Sequence, residues 1–179
     1  HTRYIGDWSP DVCSSDLALG TAYTLLAADI TNGYADVATG TLTNGTAYTL
    51  TAKVIDIAGN ASAASGSFTT TVDTTAPGAP SITSVTDDVG SITGTLTSGG
   101  RTDDTNLTVR VSLGSTNAVA GDTVQLYNGG AALGTAYTLL AADITNGYAD
   151  VATGTLTNAT AYTLTAKVID IAGNASAAS

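Results

Sequence analysis

Residues 107–113 read Leu-Thr-Val-Arg-Val-Ser-Leu, so that Leu107, Val109, Val111 and Leu113 alternate with Thr108, Arg110 and Ser112. A period of two sends successive side chains to opposite faces, which predicts a strand with one apolar face and one wet face. Val124 and Leu126 repeat the pattern, and Asn128-Gly129-Gly130 then supplies the residues of a tight turn. Tyr162, Leu164, Ala166 and Val168 alternate again. Upstream, Ile82 and Val85 follow Pro77 and Pro80, which suits a first strand at a sheet edge, where a missing N–H is tolerated. Short strands separated by turn signals predict an all-β, antiparallel β-sandwich.

Composition agrees. Of 179 residues, 34 are Thr and 20 are Gly, and neither Glu nor Met occurs. Thr suits a half-buried pleated surface, whereas Glu and Met are good helix formers. A hydrophobic fraction of 43 % in alternating patterns is enough to bury a core. The 15 acidic residues are all Asp and face only 5 basic ones, a net charge of −10. Such a surface cannot neutralise phosphates, so no nucleic-acid partner is expected. No apolar run approaches the roughly 20 residues of a membrane-crossing helix, so no membrane span is expected either.

Residues 1–17 differ in texture from the rest of the chain. They hold its only His, Trp and Cys, at His1, Trp8 and Cys13. The run from Asp7 to Leu17 resembles a translated sequencing adapter, departing from it at Pro10, and residues 1–17 are therefore expected to be a non-native artefact. Residues 18–179 then carry twelve Asp against four Lys and Arg, with no Cys and no His. Thiolate and imidazole chemistry are absent from that stretch, and the chain is not expected to be an enzyme.

A duplication organises the remainder. Residues 18–65 recur at 132–179 with one change, Gly45 to Ala159, at an offset of 114 residues. A period near one hundred residues signals whole domains in tandem rather than solenoid turns. We expect residues 18–72 to be the C-terminal half of one repeat and residues 73–179 to be a second repeat lacking its last strand. Gly66–Val72, directly after the first copy, would supply that strand. Both copies are thus expected to be incomplete. The segment Thr157–Ala166 looks like the corner before the sixth strand of an immunoglobulin-like fold, where a Tyr hydroxyl bonds to upstream backbone. Tyr162 and its twin Tyr48 are the candidates, with simple core packing as the alternative.

Three stretches in this order, 72–104 (VDTTAPGAPSITSVTDDVGSITGTLTSGGRTDD), 124–130 (VQLYNGG) and 162–174 (YTLTAKVIDIAGN), closely resemble tandem bacterial Ig-like repeats. Such repeats build very large surface and biofilm-associated adhesins. The resemblance covers residues 18–179. It implies immunoglobulin-like antiparallel β-sandwich repeats, an extracellular or bacterial cell-surface location, and a role as a structural stalk or spacer in adhesion. It implies neighbouring Ig-like repeats of the same chain as partners, with any host or matrix ligand met through other domains. The alternative is an Ig-like module that itself binds a glycan or host protein. That reading needs an exposed anchor, for which Tyr148 and Arg101 are the candidates.

Calcium is the cofactor this Asp-rich composition suggests, because Ca²⁺ takes roughly 6–8 oxygen ligands and needs no nitrogen or sulfur. Asp87 and Asp88 precede the stretch 89–102, and Asp103 and Asp104 follow it. If that stretch folds back on itself, the four carboxylates approach one another. A second set belongs to the repeat junction: Asp73 in the linker, with Asp170 and Asn174 in the loop that an Ig topology places beside it. Asp56 and Asn60 would serve the preceding junction. The alternative is that all are turn residues capping their own backbone. Amplification from source DNA is expected to return this gene without the codons for residues 1–17; their recovery intact would contradict the artefact reading.

Overall fold

A computed structural model describes residues 4–5 and 18–179; apart from the backbone of Tyr4–Ile5, the expectation for residues 1–17 lies outside the described residues. The chain divides into two compact units, His1–Thr74 and Thr75–Ser179. Among the described residues the regular structure is mostly strand in antiparallel sheets, with two six-residue helices.

In the second unit the order is β6 (Ser81–Asp87), β7 (Gly94–Thr95), β8 (Thr108–Ser112), β9 (Thr123–Asn128), β10 (Ala131–Thr138), α2 (Ala141–Asn146), β11 (Tyr148–Ala152) and β12 (Leu164–Ile169). One sheet has the order β11-β8-β6-β7 and the other β10-β9-β12. Their apolar faces share one cluster: Val109 and Val111 of β8, Val124 and Leu126 of β9, Ala149 and Val151 of β11, and Ala166 and Val168 of β12. The alternation in residues 107–113 is seen directly, because Leu107, Val109, Val111 and Leu113 are buried and the residues between them are not. The first strand departs from its expected edge position. β6 lies between β8 and β7, although β7 reaches only Thr86 and Asp87. The register shifts between Ile82 and Ser84, which is how two apolar residues spaced by three both reach the core.

The first unit holds β2 (Tyr23–Thr24), α1 (Ala27–Asn32), β3 (Ala47–Leu50), β4 (Val54–Ile55) and β5 (Phe68–Thr71), with β1 (Tyr4–Ile5) between β2 and β4. Residues 66–72 do supply a strand, since β5 pairs with β3 through Tyr48↔Thr70 and Leu50↔Phe68. β1 pairs Tyr4 with Thr24 and Ile55, and Ile5 with Tyr23 and Val54. Thr123 and Val124 of β9 hold the corresponding places in the second unit, opposite Thr138 and Ile169, and Tyr137 and Val168.

Composition alone does not predict the two helices. Both copies of Ala-Ala-Asp-Ile-Thr-Asn wind one and a half turns because the Asp at the third position accepts the backbone N–H just before the helix. These bonds are Leu26 N–H to Asp29 Oδ2 at 2.7 Å and Leu140 N–H to Asp143 Oδ2 at 2.8 Å. Tyr23 and Tyr137 add their hydroxyls to the same carboxylates at 3.2 and 3.1 Å. Gly33 and Gly147 close the helices in the left-handed region. The corner tyrosines also repeat. Tyr162 Oη accepts the Thr157 N–H at 2.8 Å, and Tyr48 Oη accepts the Thr43 N–H at 2.9 Å.

Two backbone positions set limits on substitution. Gly134 has φ +66°, and a Cβ there would stand 2.6 Å from the Thr153 carbonyl oxygen, so β10 and the end of β11 meet backbone to backbone. Gly20 meets Ala38 and Thr39 in the same way in the first copy. The one difference between the copies is conformational as well: Ala159 carries φ +59° where Gly45 carries φ +72°. Ala159→Gly is expected to stabilise the second unit by about 1 kcal/mol, since only backbone strain is relieved. Gly134→Ala should cost more than about 2 kcal/mol, because strain and collision add. Urea midpoints of the two variants check both signs.

Candidate functional site

The stretch after Asp87 does fold back. β6 and β7 form a hairpin with Asp87 opposite Gly94, and Leu96 N–H bonds to the Val85 carbonyl at 2.8 Å. The chain then returns so that Thr102 Oγ1 donates to Asp87 Oδ2 at 2.5 Å. Asp87 Oδ1 accepts the Val89 N–H at 3.0 Å, so both oxygens of this buried carboxylate are engaged. Asp103 reaches across to Gly90, where an added Cβ would collide with its carboxylate. Asp104 is only 6 % exposed; its Oδ1 accepts the Asn106 N–H at 2.7 Å, while its Oδ2 is buried without a hydrogen-bond partner. Asp88 is exposed. A shallow cleft of about 350 Å³ opens beside these residues, lined by Asp87, Ile92, Arg101, Thr102 and Asp103.

The excursion therefore brings Asp87, Thr102 and Asp103 to one neighbourhood, but not all four carboxylates to one point. Among the described residues no three His, Cys, Asp or Glu side chains are grouped so as to hold a metal ion. The all-oxygen donor set and the orphaned Asp104 oxygen suit calcium chemically, and an ion there would draw its remaining ligands from carbonyls and water.

The other predicted set is built differently. Asp170 Oδ1 accepts the Asn174 N–H at 2.8 Å and Oδ2 accepts from Asn174 Nδ2 at 2.9 Å. Asp56 and Asn60 reproduce this at 2.8 and 3.0 Å. These bonds, first the Asn side chain and then backbone N–H groups, hold both carboxyls below the usual carboxylate range. Each pair closes its own loop, with Asp170 N–H returning to the Asn174 carbonyl at 3.1 Å. That is the turn-residue alternative in detail: both oxygens are spent within five residues. Asp73 lies in the first unit, at the end of the β3–β5 segment.

Sequence reading missed Asp122. It is 3 % exposed, its Oδ2 accepts the Val119 N–H at 2.9 Å, and its Oδ1 is buried without a partner. Nothing in Gly121-Asp122-Thr123 separates it from a surface turn.

Of the two proposed anchors, Arg101 lines the cleft. Tyr148 is committed: the Arg110 guanidinium stacks 4.0 Å from its ring centroid and makes a bidentate pair with Asp150 at 2.8 and 2.7 Å. Cross-strand neighbours 110 and 150 thus clamp β8 to β11 on the wet face. Hydrogen bonds from Arg110 hold the Asp150 carboxyl below its usual range. A lowered folded-state value means that the contribution is present above the ordinary carboxylate range and fades as pH falls through the lowered one. Arg110→Ala is expected to move the Asp150 titration upward, toward the ordinary value; an unmoved NMR titration would show that the pair does not set it.

No protein-family model matches the chain, and no curated protein matches it either. No helix among the described residues is long and apolar enough to cross a membrane.

Proposed function

We propose that the chain is a piece of a structural stalk, a spacer of immunoglobulin-like β-sandwich repeats in an extracellular or cell-surface bacterial adhesin. The observation that carries this reading is the near-verbatim duplication at an offset of 114 residues. Selection on reach and stiffness tolerates copied domains, because each repeat contacts only its neighbours and the array lengthens by whole units. The two-sheet arrangement of the second unit, with orders β11-β8-β6-β7 and β10-β9-β12, and the Tyr162 hydroxyl bonded to backbone five residues upstream, repeated by Tyr48 in the first unit, support the immunoglobulin-like assignment. The competing binding-module reading is weakened by Tyr148, whose ring already carries Arg110. A glycan array probed with the second unit is expected to give no specific hit; a reproducible hit would favour the binding module.

Calcium belongs to this proposal at the 87–104 excursion, supported by the orphaned Asp104 oxygen. With about 10 mM calcium and an affinity near 0.1 mM, linkage gives about 2.7 kcal/mol, a rise in Tm of about 10 °C or more. That rise should vanish in Asp104→Asn, which keeps the acceptor for Asn106 N–H, with the calcium-free melt of the variant as the check that it folds. An equal rise in both proteins, or none in either, would remove the ion from this site.

A further inference from the structure

Asparagine is followed by glycine at Asn32-Gly33, Asn44-Gly45, Asn128-Gly129 and Asn146-Gly147. With no Cβ on the second residue, its backbone nitrogen can reach the asparagine Cγ. Whether it does so depends on the freedom of that nitrogen and of the side chain. Asn128 is half-buried, its Oδ1 accepts the Thr163 N–H at 2.8 Å, and its backbone pairs with Ala131 on one side and Leu164 on the other. Asn44 is held likewise: its Oδ1 accepts the Thr74 N–H at 2.8 Å, and Gly45 N–H bonds to the Val72 carbonyl at 2.7 Å. Asn146 is the last residue of α2; it is exposed, and its side chain has no hydrogen-bond partner among the described residues. Gly147 N–H bonds only to the end of that helix, to the Asp143 carbonyl at 2.8 Å and the Ile144 carbonyl at 3.3 Å. The last turn of so short a helix opens locally at small cost. Freeing Asn128 instead means parting β9 from strands on both of its edges.

We propose that Asn146 is a site of spontaneous deamidation, with water as the co-reactant. The Gly147 nitrogen gives its proton to solvent and bonds to Asn146 Cγ. The Cγ–Nδ2 bond breaks, ammonia leaves, and a five-membered succinimide closes. Water then opens the ring. Breaking the new bond between Cγ and the Gly147 nitrogen gives aspartate. Breaking the original main-chain bond to that nitrogen gives isoaspartate, in which the chain runs through the side chain. Either way one water is consumed and one ammonia released, with no oxidation or reduction. Asn32 meets the same conditions at the end of α1, where Gly33 N–H bonds to the Asp29 carbonyl at 2.8 Å. Asn158 does not, although it is exposed in a turn, because Ala159 sets a Cβ beside the attacking nitrogen. Both products place a negative charge at a helix C-terminus, where the backbone dipoles disfavour it. Isoaspartate also lengthens the main chain by one methylene directly before β11. Gly147 there accepts the Leu113 N–H on its carbonyl at 2.8 Å, so the longer chain works against the pairing of Tyr148–Ala152 with β8. The modification thus accumulates with age and loosens one edge of the sheet.

Ageing of the full chain in mildly alkaline buffer tests this, read by electron-transfer fragmentation of its peptides, which separates isoaspartate from aspartate. In the folded protein Asn146 should convert at least about tenfold faster than Asn128, with isoaspartate among its products. In concentrated urea the two should convert at similar rates, because both precede Gly and only the fold distinguishes them. Asn158 should lag behind Asn146 in both conditions. Asn146→Gln, whose longer side chain would have to close a six-membered ring, should stay unmodified at position 146. Equal folded-state rates at 146 and 128, conversion of Asn146 to aspartate without isoaspartate, or a tenfold difference that persists in urea would overturn the proposal.

Discussion

Strand β8 is bonded along both of its edges, to β6 on one side and β11 on the other, and its inward residues Val109 and Val111 are fully buried. The rest of the second unit depends on this strand. It supplies the partner without which Tyr148–Ala152 is not a strand, as the identical residues 34–38 demonstrate. It also presents the apolar surface against which Val124, Leu126, Ala166 and Val168 of the facing sheet are buried. Burial of a Val side chain is worth about 1.5 kcal/mol or more, so losing this partner costs several such terms at once.

The features that survive in the first unit are those that need no distant partner. The six-residue helix, its Asp cap, the tyrosine hydroxyl on that Asp, and the Asp–Asn loop all recur with distances that agree within a few tenths of an ångström. So does the hairpin segment after Val54, where Ser62 N–H bonds to the Val54 carbonyl and Ser176 N–H to the Val168 carbonyl, at 2.9 and 2.8 Å. These hydrogen bonds span fewer than fifteen residues and lie wholly within the duplicated 48, whereas β11 needs β8, about forty residues away and outside the duplicated stretch. The duplication thus separates local from non-local determinants within one molecule.

This division also decides how much was legible in the sequence. The alternation of 107–113, the Asn128-Gly129-Gly130 turn and the corner tyrosines were legible because each is a short pattern with a period or a fixed offset. The helices were not, because Leu-Ala-Ala-Asp-Ile-Thr-Asn-Gly is too brief for a 3.6-residue periodicity. An Asp three residues after the capping position and a Gly at the far end were the available signal. Residues 34–38 carry the same strand pattern as 148–152, and that pattern alone does not say whether a neighbour is present. At the candidate site, the fold-back of 89–102 entered only as a condition for its flanking Asp pairs to approach, and the hairpin of β6 and β7 meets that condition. Which carboxylates would be spent on their own loops was not: Asp170 and Asp104 sit in similar turn contexts, yet one is fully satisfied and the other leaves an oxygen without a partner.

The central claim is that the presence of β8, not the local sequence, makes a strand of Tyr-Ala-Asp-Val-Ala. Amide hydrogen exchange measured by NMR on dilute protein tests it most directly, because the two copies have distinct resonances. The amides of Ala149 and Val151, which face β8, should be protected by about a hundredfold or more over those of Ala35 and Val37. Equal protection of the two pairs at a concentration where the protein is monomeric would contradict the account.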